Sequence, residues 1–195
     1  PGYYYICLHG VWSWVSARNR ELFVEFLKRH LKPRYVFYLS YICHPVWSAA
    51  APLRKLFKLF GGCCPGDTPA ADRVSGALAL TANFLQTGPL YLNSSPWIQE
   101  RFEELRGQTP EYLAHEFFNA DWHVTYFADV AKELAEARLT FGSSATAQNN
   151  IPGFGLTPGA REFMDQLRDP VMYQQLWDYL CNTQFRTDIF VRGAV

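Results

Sequence analysis

The sequence predicts an α/β fold in which a large all-helical block interrupts a short sheet. Three observations predict it. Two uncharged runs rich in aromatic and β-branched residues, 3–8 ("YYYICL") and 35–41 ("YVFYLSY"), read as strands covered on both faces. The stretch between them is amphipathic at helical spacing, which makes a βαβ crossover. From Pro45 to about Ala137 no convincing strand occurs, and strand-like runs resume only near the end of the chain.

The elements follow in order. After the first strand, Ser16 is a good N-cap. Leu22, Phe23, Phe26, Leu27 and Leu31 then form an apolar stripe, with Arg18, Arg20, Glu21, Lys28 and Arg29 opposite, and Pro33 ends the helix. In "APLRKLFKLF", Leu53, Leu56, Phe57 and Phe60 share one side of a helix. "GGCCPGDTP" has strong turn chemistry, and "AADRVSGALALTANFLQ" reads as a helix stopped by Gly88-Pro89. Ser95-Pro96 and Thr109-Pro110 each open a helix, as do Thr157-Pro158 and Asp169-Pro170 later: a cap residue, then a proline whose missing N–H costs nothing there. Phe127, Val130, Ala131 and Leu134 mark another helix. Residues 138–143 and 189–191 read as the third and fourth strands.

A chain of 195 residues that is 49% hydrophobic can bury a core of one domain or one and a half. Its 18 basic residues balance 18 acidic ones, which removes the basic surplus that sequence-blind nucleic-acid binding needs. No apolar run reaches the roughly 18 residues of a membrane span, and no charged segment precedes an apolar core as in a signal peptide. Five cysteines, an odd number without a CxxC pair, suit a reduced, cytoplasmic protein and no structural zinc. His115, Glu116 and His123 lack the spacing of a metal site. The aromatic stretch "FFNADWHVTYF" reads first as packing of the helical block onto itself, and second as a dimer or substrate-docking face. A first residue Pro1 followed at once by a strand reads as a fragment of a longer chain.

Longer words in the sequence carry a resemblance. "LHGVWSWVS", "FLKRHLKP", "VFYLSY" and Pro45 with Trp47 resemble the second half of a class I S-adenosylmethionine-dependent methyltransferase. "YLAHEFFNADWHVTYFADVAKELAEARLTF" and "LTPGAREFMDQLRDPV" through "QFRTDIFVRG" resemble the methyltransferase regulatory domain attached to that subfamily. The resemblance implies half of a Rossmann-like methyltransferase sheet, in which the four strands are numbers 4, 5, 6 and 7 of the family, ordered 4-5-7-6 with the last antiparallel. It divides the chain into core residues 1–47, a helical regulatory insertion at 48–137, and the remaining core at 138–195. The family usually has two glycines where this chain has Arg34-Tyr35, an asparagine at Ile42 and a glycine at Val46.

Ligands of open α/β sheets lie at the carboxyl ends of strands, beside the switch in strand order. The resemblance places that switch next to the first strand here, so the turn after it borders cofactor and methyl acceptor. His9, Gly10 and Trp12 are expected at the S-adenosyl-L-methionine site: Gly10 for close backbone approach, Trp12 as a flat wall, His9 as a polar or proton-accepting group. His9, Trp12 and Tyr41 are the expected catalytic residues, and Trp14, Ser40 and Trp47 the expected substrate pocket. The family's glycine-rich turn after strand 1 and acidic residue ending strand 2 have no counterpart in these residues, and Gly61-Gly62 and "PGFG" do not leave a strand as such a turn must. This chain alone is therefore expected to bind the cofactor weakly or not at all and to be inactive. The expected partners are a protein substrate acting through side-chain amines, and either a second copy or a separate amino-terminal half. The alternative is a non-catalytic helical regulatory or dimerisation module.

Overall fold

A computed structural model describes residues 2–93 and 97–193, so the Ser95 cap and Pro96 lie outside the described residues. Four strands, β1 (Tyr3–Leu8), β2 (Leu31–Ile42), β3 (Leu139–Ser144) and β4 (Phe185–Arg192), form one sheet in the order β1-β2-β4-β3. β1 runs parallel to β2, and β4 runs antiparallel to both β2 and β3. This is the 4-5-7-6 half-sheet, with its last strand antiparallel.

The chain divides into two compact units, residues 1–47 with 121–195, and residues 48–120. In the first, α1 (Ala17–His30) is capped by Ser16, whose hydroxyl accepts the Asn19 N–H at 3.2 Å. Its Val24 and Leu27 join Phe127, Val130 and Leu134 of α7 (Phe127–Ala135) on one sheet face, against Phe37, Leu39, Tyr41, Leu139 and Phe190. That packing explains why the helical unit ends at Ala120, earlier than the expected 137: the apolar stripe of α7 is buried in the sheet core. The later helices α8 (Pro158–Asp165) and α9 (Pro170–Leu180) begin at the Thr157 and Asp169 caps, whose side chains accept backbone N–H groups.

The second unit comprises most of α2 (Val46–Gly61), then α3 (Ala70–Gln86), α4 (Leu90–Asn93), α5 (Trp97–Arg106) and α6 (Pro110–Phe118). Phe57 is its hub, with ring centroids 6.1 Å from Phe102 and 5.3 Å from Phe117. Glu116 is buried there, and burial raises its carboxyl above the ordinary value. The three histidine and carboxylate residues considered as metal ligands do not share a unit: His115 and Glu116 belong to α6, and His123 to the sheet unit. Among the described residues no helix is long and apolar enough to cross a membrane.

Two strands differ from expectation. β1 stands at the edge, as the half-sheet implies, but it is not covered on both faces: Tyr3, Tyr4 and Tyr5 are 53%, 57% and 55% exposed. An open apolar groove, lined by Ile6, Leu8, Leu22, Phe23 and Phe26, runs between β1 and α1. β2 starts four residues early, directly after α1. Tyr3 faces Leu31 but Tyr5 faces Val36, so residues 32–35 bulge, and Arg34 takes φ +71°. That left-handed conformation is the one glycine adopts freely, which fits the glycines that the resemblance implies here.

Candidate functional site

The chain leaves β1 through His9 and Gly10. Gly10 has φ +65°, and a Cβ there would meet no atom within 4 Å, so the backbone faces open space. Its N–H donates to Ser40 Oγ at 2.8 Å, tying the turn to the end of β2. Ser40 is fully buried and its Oγ lies 3.2 Å from His9 Nδ1. The Tyr38 hydroxyl lies 3.0 Å from the same nitrogen, and the His9 and Tyr38 rings stack with centroids 5.8 Å apart. Burial raises the Tyr38 hydroxyl above its ordinary pKa, so it stays protonated.

The turn continues into a short 3-10 segment, Trp12–Trp14. Ser13 is its anchor: its Oγ accepts the Ile42 N–H at 3.0 Å and its carbonyl accepts the His123 N–H at 2.8 Å. Residues 121–126 thereby lie across the carboxyl end of the sheet. Thr125 accepts the His44 N–H at 3.1 Å and donates to Ile42 O at 3.4 Å, a one-residue parallel extension beside β2. The segment brings Trp122 against Trp47, with ring centroids 5.9 Å apart and nearly perpendicular, and Tyr126 against His44 at 4.5 Å. Asp121 Oδ1 lies 3.7 Å from His123 Nε2.

Of the expected site residues, His9, Gly10 and Ser40 come together, and the Ser13 backbone sets half-buried Trp14 beside residues 121–126. Trp47 is 6% exposed and donates its indole N–H to Gln184 O at 3.0 Å, so most of its surface is already used within the fold. Trp12 and Tyr41 are elsewhere. Trp12 is fully buried in the sheet core with the Arg20 guanidinium 6.0 Å from its ring, and it has no surface to give a ligand. Tyr41 is also fully buried, and its hydroxyl donates to Asp188 Oδ2 at 2.9 Å.

Asp188 belongs to a buried ionic cluster. Arg186 donates from Nε to Asp188 Oδ2 at 2.7 Å, from Nη2 to Asp188 Oδ1 at 3.1 Å, and from Nη1 to Asp178 Oδ1 at 2.7 Å. Gln174 Oε1 accepts from Nη2 at 2.8 Å, and the guanidinium carbon sits 4.4 Å from the Phe127 ring centroid. Burial pushes the Asp178 carboxyl up to about 6. Arg186 thus binds both carboxylates and Gln174 within the core, which is the chemistry of a core lock, and Asp178 Oδ2 is the cluster's one buried oxygen without a hydrogen-bond partner among the described residues.

Sequence reasoning passed over Tyr38 and Ser13, and it read residues 121–126, within "FFNADWHVTYF", first as part of the helical block, whereas they belong to the sheet unit. Tyr38 was legible, because it stands two residues before Ser40 and so shares its face. Residues 121–126 carry no strand pattern, and only the Ser13 and Thr125 backbone bonds reveal their place.

Comparison with known proteins bears on this arrangement. Residues 109–192, which hold α6, the 121–126 segment, β3 and β4, match the family described as a predicted methyltransferase regulatory domain. An uncharacterized protein of Synechocystis is 38% identical over 195 residues, which is all of this chain and 38% of that protein. One of Rickettsia prowazekii is 24% identical over 188 residues, 95% of this chain and 33% of its own length. PKMT2 from Rickettsia typhi superposes with a TM-score of 0.77 at 20% identity, covering 100% of this chain and 36% of PKMT2. Its complex with AdoHcy gives a TM-score of 0.79 and covers 37% of that chain. The chain thus spans between 33% and 38% of the length of these relatives. Residues 109–192 are thus similar to a methyltransferase regulatory domain, and the chain shares its fold with part of PKMT2.

Proposed function

We propose that this chain is the carboxyl-terminal wall of the catalytic sheet of an S-adenosylmethionine-dependent methyltransferase acting on protein side-chain amines. The observation that carries the proposal is β1. It is an edge strand with an apolar groove on its flank, and His9, Gly10 and Ser40 gather at its carboxyl end. Ligands of open α/β sheets bind at that end. The AdoHcy complex of PKMT2, a chain of the same fold, supports the cofactor.

The residues present fit one side of a cofactor site. The open space at Gly10 admits a ligand against bare backbone. When bound, the cofactor supplies an electrophilic methyl carbon on a sulfonium. His9 stands where it can take a proton from the acceptor amine. Trp14 and the neighbouring 121–126 segment form a wall that excludes water and can face a cationic side chain. A second strand beside β1, with the glycine turn that cradles the rest of the cofactor, comes from outside these residues, so this chain alone binds the cofactor weakly and is inactive.

Titration of labelled cofactor tests this. The isolated chain should show no saturable binding at micromolar concentration, whereas a complete polypeptide of the relatives' length should bind and transfer label to a protein acceptor. Micromolar binding by the isolated chain, or no transfer by the complete one, sinks the proposal. A second reading, a regulatory or dimerisation module in the cytoplasm, is favoured by Leu59, Leu80 and Leu90 on the helical unit, which are 53%, 42% and 82% exposed. Light scattering across concentrations tests it, and a chain that stays monomeric throughout rules it out.

A further inference from the structure

We propose that Tyr38 and Ser40 are positioning residues for His9. Their hydroxyls hold the neutral imidazole as its Nδ1–H tautomer and leave Nε2 bare, as the proton acceptor for a cationic amine. The proposal rests on the methyltransferase reading and adds what makes His9 a base of fixed geometry.

The pairing of β1 with β2 sets the three groups together. Cys7 faces Tyr38 and Leu8 faces Leu39, so the next position, His9, falls beside Ser40. Tyr38 and Ser40 share a sheet face because they are two residues apart. Both oxygens converge on one ring nitrogen, at 3.0 Å and 3.2 Å. A neutral imidazole has one N–H donor and one bare acceptor nitrogen. A bare Nδ1 offers a single in-plane lone pair and satisfies one hydroxyl. A protonated Nδ1 shares its hydrogen between two oxygens, an arrangement that both distances accommodate. The tautomer of a histidine is set in this way by the partner of its other nitrogen.

The hydroxyls are themselves held. Ser40 is fully buried, so bulk water does not compete for it, and its oxygen is fixed by the Gly10 N–H at 2.8 Å. The Tyr38 ring also stacks loosely on the imidazole, with centroids 5.8 Å apart and planes inclined by 30°. His9 itself is exposed, which leaves Nε2 to the substrate. An alkylammonium, with an ordinary pKa near 10.4, has no lone pair at neutral pH. In the proposed step one of its N–H bonds breaks, the electron pair stays on the amine nitrogen, and the proton bonds to Nε2. Nδ1–H keeps both acceptors as the ring becomes charged, so no partner has to turn.

The test has a readout that needs no cofactor. With nitrogen-labelled histidine in this chain, long-range proton–nitrogen correlation at a pH of about 9, above the ordinary imidazole range, reports which ring nitrogen carries hydrogen. His9→Gln identifies the signal. The expected result is a protonated Nδ1 and a bare Nε2 in the wild type, a smaller Nδ1–H fraction in Tyr38→Phe and in Ser40→Ala, and loss of the preference in the double variant. A His9 found as the Nε2–H tautomer, or unmoved by the double variant, overturns the proposal. In the complete polypeptide Tyr38→Phe should lower kcat roughly tenfold, with cofactor affinity unchanged. An active enzyme in which Tyr38→Phe keeps wild-type kcat overturns the positioning role alone. A complete polypeptide inert toward every amine acceptor overturns the methyltransferase reading, and with it the amine as proton donor, while the tautomer measurement still decides whether the hydroxyls hold the ring.

Discussion

Replacing Tyr41 by Phe separates a structural tyrosine from a catalytic one. The ring is fully buried in the sheet core and the change removes one oxygen, so packing is kept. What is lost is a single buried hydrogen bond, 2.9 Å, to the ionised acceptor Asp188 Oδ2. That oxygen keeps the Arg186 Nε donor at 2.7 Å, so the carboxylate is not orphaned. A bond to a charged group under those conditions contributes about 2 kcal/mol. With a urea m-value of about 2 kcal/mol per molar, the unfolding midpoint should fall by about 1 M with m unchanged. Arg186→Met sets the scale. It strands Asp178 and Asp188 together and should cost about 3–5 kcal/mol. Tryptophan fluorescence during urea unfolding measures both. In a polypeptide of the relatives' length, if it has the proposed activity, Tyr41→Phe should retain kcat. A midpoint within about 0.2 M of wild type, combined with a hundredfold or greater loss of kcat of the kind that follows removal of an acid–base group, would refute the buried-lock account.

Three other outcomes are expected. Arg34→Gly should stabilise the chain by about 0.5–1 kcal/mol: relief of a left-handed non-glycine residue is worth about 1–2 kcal/mol, and the added freedom of the unfolded chain takes back part of it. Stability should fall as pH rises from about 4 to about 6. The folded Asp178 carboxyl titrates near 6, above its ordinary 3.8, so its favourable contribution is complete below the unfolded value and is lost, by about 3 kcal/mol, through the folded one; Asp178→Asn should flatten that slope in urea titrations. A maleimide at neutral pH should label exposed Cys7 and Cys63 well before Cys43, whose thiol is buried and pushed up by that burial, with mass spectrometry reading the order.

Much of the fold was legible because its signals are local and redundant. Thr157-Pro158 and Asp169-Pro170 mark helix starts with a hydroxyl or carboxylate and a proline at once, and both caps form as expected. Strand existence was equally plain from composition. Strand cover was not: an apolar run such as 3–8 shows that a strand wants burial, without showing which elements provide it. The stripe of α7 likewise announced a helix and not its partner, and so the boundary at 137 missed the packing of Phe127, Val130 and Leu134 on the sheet. The bulge at residues 32–35 left one trace in the sequence, an arginine where the resemblance implies glycine, and its meaning needs the φ of +71°.

The site shows where reading by neighbourhood fails. Expecting both Ser40 and Tyr41 at the site puts two successive residues of one strand there, yet adjacent strand residues point to opposite faces. The structure sends Ser40 to Gly10 and His9, and Tyr41 to Asp188 and the Arg186 cluster. Alternation therefore permits one of the pair at the crevice, and the residue that belongs with Ser40 is Tyr38. The same rule divides the sheet by chemistry. The face holding Phe37, Leu39 and Tyr41 is closed by α1 and α7 and locked by a buried ion cluster. The face holding Tyr5, Cys7, Tyr38 and Ser40 keeps Tyr5 and Cys7 exposed next to His9. Rigidity on the first face fixes the register of β1 on β2, and that register is what holds two hydroxyls at hydrogen-bonding distance from one imidazole nitrogen on the second.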